Sequence, residues 1–251
     1  MRALLVGFCF LAAALAQDDK CASSEFRVEA EVHRVRVAED DLGVFRMIGD
    51  QALSALRECP RSTRLWYWAA RSAEVLQDQG DGQVFADQGG SQTIVSAALA
   101  HSPSSAPVTT VAARVQKSSS LARKALDLDP KYEPARRALA QLLVREGSLD
   151  EALRLTEKPQ SSAMHLTRAK VLLAAKRPAE AVAEAHKVVV ADPPDELSPR
   201  KEMYRDTEEV LGFALLDLRR KQEAQKALRS AAAAGSSRAR DYLAKPSPSA
   251  Q

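Results

Sequence analysis

The chain has 251 residues, with 36 basic and 33 acidic side chains and a formal net charge of +3. That near balance gives no reason to expect a nucleic-acid partner. The charge is uneven along the chain: residues 17–60 carry ten acidic and six basic side chains, and residues 200–245 carry eleven basic and seven acidic. Both stretches read as solvated helix faces.

The first sixteen residues read as an export leader. Arg2 precedes an uncharged apolar run from Ala3 to Ala14, then the small-x-small set Ala14-Leu15-Ala16 and polar Gln17. This order predicts a secretory signal peptide, residues 1–16, removed after Ala16. The run falls short of the about 20 apolar residues of a spanning helix. Phe8 directly before Cys9 does not suit a lipoprotein signal. The expectation is an exported, periplasmic or extracellular chain with no membrane anchor after cleavage; its Ala- and Arg-rich usage points to the periplasm of a bacterium with GC-rich DNA. Cys9 leaves with the leader, and the remaining Cys21 and Cys59 make an even pair. In an oxidising compartment such a pair implies one disulfide.

Further along, Phe26 to Ala38 presents a helix pattern with a strand as rival, because Phe26, Val28, Ala30 and Val32 alternate with polar residues. A helix is predicted from Arg64 to about Gln77. Residues 78–106 are rich in Gly, Ser and Gln and read as a flexible insertion, with a weak helix pattern over Ser91 to Ala100. A helix is predicted from about Pro107 to Leu128. Three similar stretches then follow: Pro134 to Gly147 with Ala152 beyond it, His165 to Lys176 with Ala181, and Val210 to Arg219 with Ala224. Each is an amphipathic helix, a short polar turn, and a second helix opening around an Ala. Asp129-Pro130 and Asp192-Pro193 close second helices. Ala239 to Leu243 reads as a short capping helix, and residues 244–251 as a disordered tail.

This pattern resembles the tetratricopeptide repeat, a 34-residue helix pair. In that family small residues at positions 8 and 20 let the two helices approach, and a proline ends the second. With Pro60 at position 32 the next unit starts at Thr63, placing Trp66 at position 4 and Ala70 at position 8. With Pro130 at position 32 a unit starts at Glu133, placing Gly147 at position 15 and Ala152 at position 20. The resemblance implies an all-α, antiparallel helix-pair solenoid of tetratricopeptide-like repeats over residues 17–243, with units 29–62, 63–132, 133–161, 162–195 and 205–238. Departures are Arg36 and Ile48 at positions 8 and 20 of the first unit, Lys176 where Gly is usual, and Ser236 in place of Pro. The second unit is twice the usual length because of the insertion 78–106. The same register puts Cys21 just before the first helix A and Cys59 at the end of its helix B, ends that a helix pair brings together.

Chemistry is sparse. His33, His101, His165 and His186 are scattered, and no phosphate loop, nucleophile elbow or closed calcium loop is present. No catalytic residue, cofactor or metal site is predicted, and the chain is not expected to be an enzyme. The resemblance implies a concave groove built by the first helix of each unit. Its candidate partner-binding residues are Arg64, Tyr67, Arg71, Arg137, Gln141, Arg145, Leu166, Lys170, Glu209 and Phe213, with Asp217 beyond them. Trp66 is expected in the core, and Tyr67 and Trp68 on other faces. The wall from Arg64 to Lys170 is mostly basic, which would suit a protein or peptide partner offering acidic side chains or a C-terminal carboxylate. The function implied is an exported protein–protein interaction scaffold; the alternative is an accessory subunit of an envelope enzyme or assembly machine, its insertion completing a partner's site.

Overall fold

A computed structural model describes residues 19–32, 42–78, 85, 87, 89–189 and 200–245, whose regular elements are helices with no strand. The expected leader, residues 1–16, therefore lies outside the described residues. The chain divides into two compact units, Met1–Pro130 and Lys131–Gln251.

The first unit contains α1 (19–32), α2 (Leu42–Leu56), α3 (Thr63–Asp78), α4 (Gly90–His101), α5 (Ala106–Val115) and α6 (Ser119–Leu128). Residues 19–32 are helical and not a strand. Val28 and Val32 are buried one helical turn apart, while Phe26 is 72% exposed. In a strand these three would share a face, so it is the 3.6-residue period that buries the valines. α1 already includes Cys21, which the register had placed ahead of it, and Cys21 is bonded to Cys59 just past α2 with α-carbons 5.7 Å apart.

The stretch 78–106 is not a loose insertion over its second half. Residues 90–101 form α4, whose Val95 and Ala98 pack with Ala70 of α3 and with Val108, Val111 and Ala112 of α5. Ser91 donates to the Ala73 carbonyl at 3.0 Å. Phe85 is buried as well, and a β-carbon on Gly49 of α2 would lie 2.4 Å from its ring. Nor is 107–128 one helix: α5 and α6 are separated by Gln116-Lys117-Ser118. The expected double-length unit 63–132 is thus two helix pairs, α3 with α4 and α5 with α6.

The second unit contains α7 (Glu133–Arg145), α8 (Leu149–Leu155), α9 (Ser162–Ala174), α10 (Pro178–Ala185), α11 (Arg200–Asp217), α12 (Lys221–Ala233) and α13 (Ser237–Ala244). Four hairpins in the two units share one geometry. Lys117, Gly147, Lys176 and Arg219 each take a positive φ, between 53° and 80°, in the turn. The next residue's amide reaches back to close the helix: Ser118 to Ala113, Ser148 to Leu143, Arg177 to Leu172 and Arg220 to Leu215. This is the Schellman stop, which glycine adopts at least strain.

Seven residues before each turn residue stands Thr110, Ala140, Ala169 or Gly212; five after it stands Ala122, Ala152, Ala181 or Ala224. All eight are buried. In the second unit these are the small residues expected at positions 8 and 20, and in the α5–α6 pair, which was not expected, Thr110 and Ala122 take the same places. At Gly212 the approach is closest, since a β-carbon there would meet Leu228 side-chain atoms at 2.6 Å.

Candidate functional site

The ten expected groove residues fall in both units. In the first unit Arg64 is held by Glu29 at 2.6 Å and lies 3.9 Å from Glu25, both on α1. Tyr67 and Trp68 are half-buried with ring centroids 4.8 Å apart. Trp66 is half-buried: its ring stacks on His101 at 4.8 Å and its Nε1 donates to the Pro60 carbonyl at 2.9 Å.

Arg71 does not present its charge to a partner. It is buried, with Nη1 2.6 Å from Glu74, and Arg114 of α5 grips the same carboxylate through two nitrogens. Burial pushes the Glu74 carboxyl up, but Arg114 and Arg71 outweigh this and hold it below the ordinary carboxylate value. The triad ties α3 to α5, a structural role that hydropathy could not separate from a groove position.

The second unit gathers four of the expected residues. Arg137 and Gln141 of α7 and Leu166 and Lys170 of α9 line one cleft of about 120 Å³, together with Ala163, Thr167, Glu202, Met203 and Asp206. Leu166 and Met203 are buried and form its apolar floor. Lys170 Nζ donates to Asp206 Oδ2 at 2.6 Å, and Arg205 meets Asp206 Oδ1 at 2.9 Å. Burial raises the Asp206 carboxyl, yet Lys170 and Arg205 overcome it and hold the group below its ordinary value. Arg137 lies 3.6 Å from Glu133 on its own helix. The expected basic wall is therefore compensated by acid on α7 and α11.

Glu202 and Met203 fall outside the expected fifth unit, which starts at 205, whereas α11 begins at Arg200; Asp206 lies inside that unit but is not among the expected groove residues. The uninterrupted helix-forming run from Arg200 onward was the available signal. Arg145 is exposed at the end of α7 and does not line the cleft. Glu209 and Phe213 face α13: Ser236 and Arg238 donate to Glu209, the Arg238 guanidinium sits 4.0 Å over the Phe213 ring, and Tyr242 packs on the ring edge at 5.9 Å. Asp217 is exposed at the end of α11.

A larger open hollow of about 560 Å³ lies between α1 and α2, lined by Phe26, Arg27, Ala30, Glu31, Gln51 and Glu58 among others. None of the expected groove residues borders it. Among the described residues no three His, Cys, Asp or Glu side chains are placed to hold a metal, and no helix is long and apolar enough to cross a membrane.

No family model matches the sequence, and no curated protein matches it. Solved structures do. A tetratricopeptide repeat protein from Parabacteroides merdae matches over 92% of this chain and 94% of its own, at 15% identity and a TM-score of 0.57. YrrB, described as a tetratricopeptide repeat protein with an unusual peptide-binding site, matches over 76% and 96%, at 14% identity and a TM-score of 0.41. A thermophilic tetratricopeptide repeat protein from Thermus thermophilus matches over 88% and 97%, at 16% and 0.38. At such identities the likeness is one of fold: the chain is all-α and has the tetratricopeptide-repeat fold.

Proposed function

We propose that the chain is an exported protein-interaction scaffold that holds a peptide segment of a partner protein in the cleft between α7, α9 and α11. The observation that carries this is convergence. Arg137, Gln141, Leu166 and Lys170, from two different helices, line one cleft with three residues of α11. At about 120 Å³ the cleft is well below the roughly 300–1,000 Å³ of small-molecule sites, and suits one side chain of a longer ligand. An apolar floor rimmed by hydrogen-bonding groups is the usual make-up of a peptide anchor site. Lys170 and Asp206, an acid and a base that the lining offers, are bonded to each other at 2.6 Å, which favours binding over catalysis. Export is supported by the leader-like residues 1–16 and by the Cys21–Cys59 bond, which belongs in an oxidising compartment.

A photo-crosslinking amino acid at exposed Gln141, with a control at exposed Arg229 on α12, tests the reading in the producing cell. One discrete protein adduct is expected from position 141 and none from 229. Equal labelling from both positions would contradict it.

A further inference from the structure

The charge in the cleft is closed on itself, and this decides what the cleft selects. We infer that it takes an uncharged segment, one apolar side chain offered together with backbone carbonyls, in preference to an acidic one. The inference rests on the scaffold reading above and names its ligand class.

Around the cleft Arg137, Lys170 and Arg205 are matched by Glu133, Glu202 and Asp206, three charges of each sign. Asp206 uses both carboxylate oxygens, one on Lys170 and one on Arg205. A ligand carboxylate approaching Lys170 must compete with an acid already in place on α11. It would also surrender its own hydration to reach a site with no net attraction for it.

A backbone carbonyl meets neither obstacle. Lys170 is 34% exposed and an ammonium has three N–H donors, of which Asp206 accepts one; Gln141, also at the rim, offers an amide. These donors suit neutral acceptors. Leu166 and Met203 beneath them suit a side chain of leucine or methionine size, and flexible Met203 adapts to either.

The test titrates the full mature chain, carrying ¹³C-methyl Leu and Met, with three blocked five-residue peptides. Each has a central Leu flanked by Ser, by Glu or by Lys. The Ser-flanked peptide is expected to shift the methyl signals of Leu166 and Met203, with an affinity that changes less than twofold between 50 and 500 mM NaCl. The Glu-flanked peptide should bind no tighter. In Asp206→Asn, which leaves Lys170 without its acid, the Glu-flanked peptide should gain about tenfold. In the native chain, a Glu-flanked peptide that shifts the same signals at tenfold higher affinity in low salt would overturn the inference and leave the scaffold reading standing. If no peptide of the three moves those signals, both fall. The native-chain comparison holds whether or not the Asp206→Asn variant folds.

Discussion

Ser236 Oγ donates to Glu209 at 2.6 Å while it caps α13 by accepting the Ala239 amide. Ser62 does the same at the other end of the chain, donating to Glu25 at 2.6 Å and capping α3 through the Leu65 amide. In both places an arginine two residues on, Arg238 or Arg64, reaches the same carboxylate. Ser161, which caps α9 and donates to Glu133, repeats the serine half of the clip. One residue thus stops the chain from extending the previous turn, starts a helix and fastens it to a helix of the preceding pair.

Ser236→Ala removes a cap and a hydrogen bond to a charged group together. Caps contribute about 0.5–2 kcal/mol and charged hydrogen bonds about 1.5–3. A loss of about 2 kcal/mol in urea unfolding is expected. A loss under about 0.5 kcal/mol would show that water serves Glu209 as well as the serine does.

Glu74→Gln leaves two guanidinium groups at a buried site without their counter-ion. Breaking such a pair typically costs about 3–5 kcal/mol. The sign with pH follows from its lowered folded value. The stabilisation is present above the unfolded carboxylate value and is lost as pH falls through the folded one. The native chain should therefore lose stability in acid more steeply than the Gln variant, as followed by thermal unfolding at a series of pH values. Parallel slopes would contradict the triad.

Two turn-register substitutions should move stability in opposite directions. Gly212→Ala places a β-carbon against Leu228 and is expected to destabilise by about 1–3 kcal/mol, as overpacking does. Lys117→Gly relieves a non-glycine residue at φ 53° and should stabilise by about 0.5–1 kcal/mol. Denaturant midpoints for both variants are the check, and a tolerated Gly212→Ala would mean that α11 and α12 are not in close approach.

Replacing residues 78–106 by a short Gly-Ser turn should cost most of the first unit's cooperativity, because α4 and Phe85 supply buried apolar surface to α2, α3 and α5. Circular dichroism against temperature reads this out. A native-like transition would return the segment to the status of a dispensable loop.

Much of this fold was legible from small residues at fixed distances from a turn, because close helix approach tolerates little else at those places. Ala140, Gly147 and Ala152 announce one pair, and Ala169 with Ala181 the next. The α5–α6 pair was hidden because Lys117 stands where glycine usually marks the stop and Thr110 fills the small position, its hydroxyl satisfied by the Ala106 carbonyl at 2.8 Å. α4 was obscured by polar Ser91, Gln92 and Thr93, although Ile94, Val95 and Ala98 form its buried face. That Arg137, Gln141, Leu166 and Lys170 share one cleft was readable from the register of the repeat that the sequence resembles. The role of Arg71 was not, since it depends on Glu74 and Arg114, and Arg114 lies 40 residues from Glu74.

The binding surface proposed for the chain is the α7–α9–α11 cleft. Gln141→Trp tests it most directly, because position 141 is exposed and the indole would fill the cleft without disturbing the core. Affinity for the protein captured from position 141 is to be measured by calorimetry beside the thermal midpoint. An unchanged midpoint and at least a tenfold weaker complex are expected. An unchanged midpoint with unchanged affinity would contradict it.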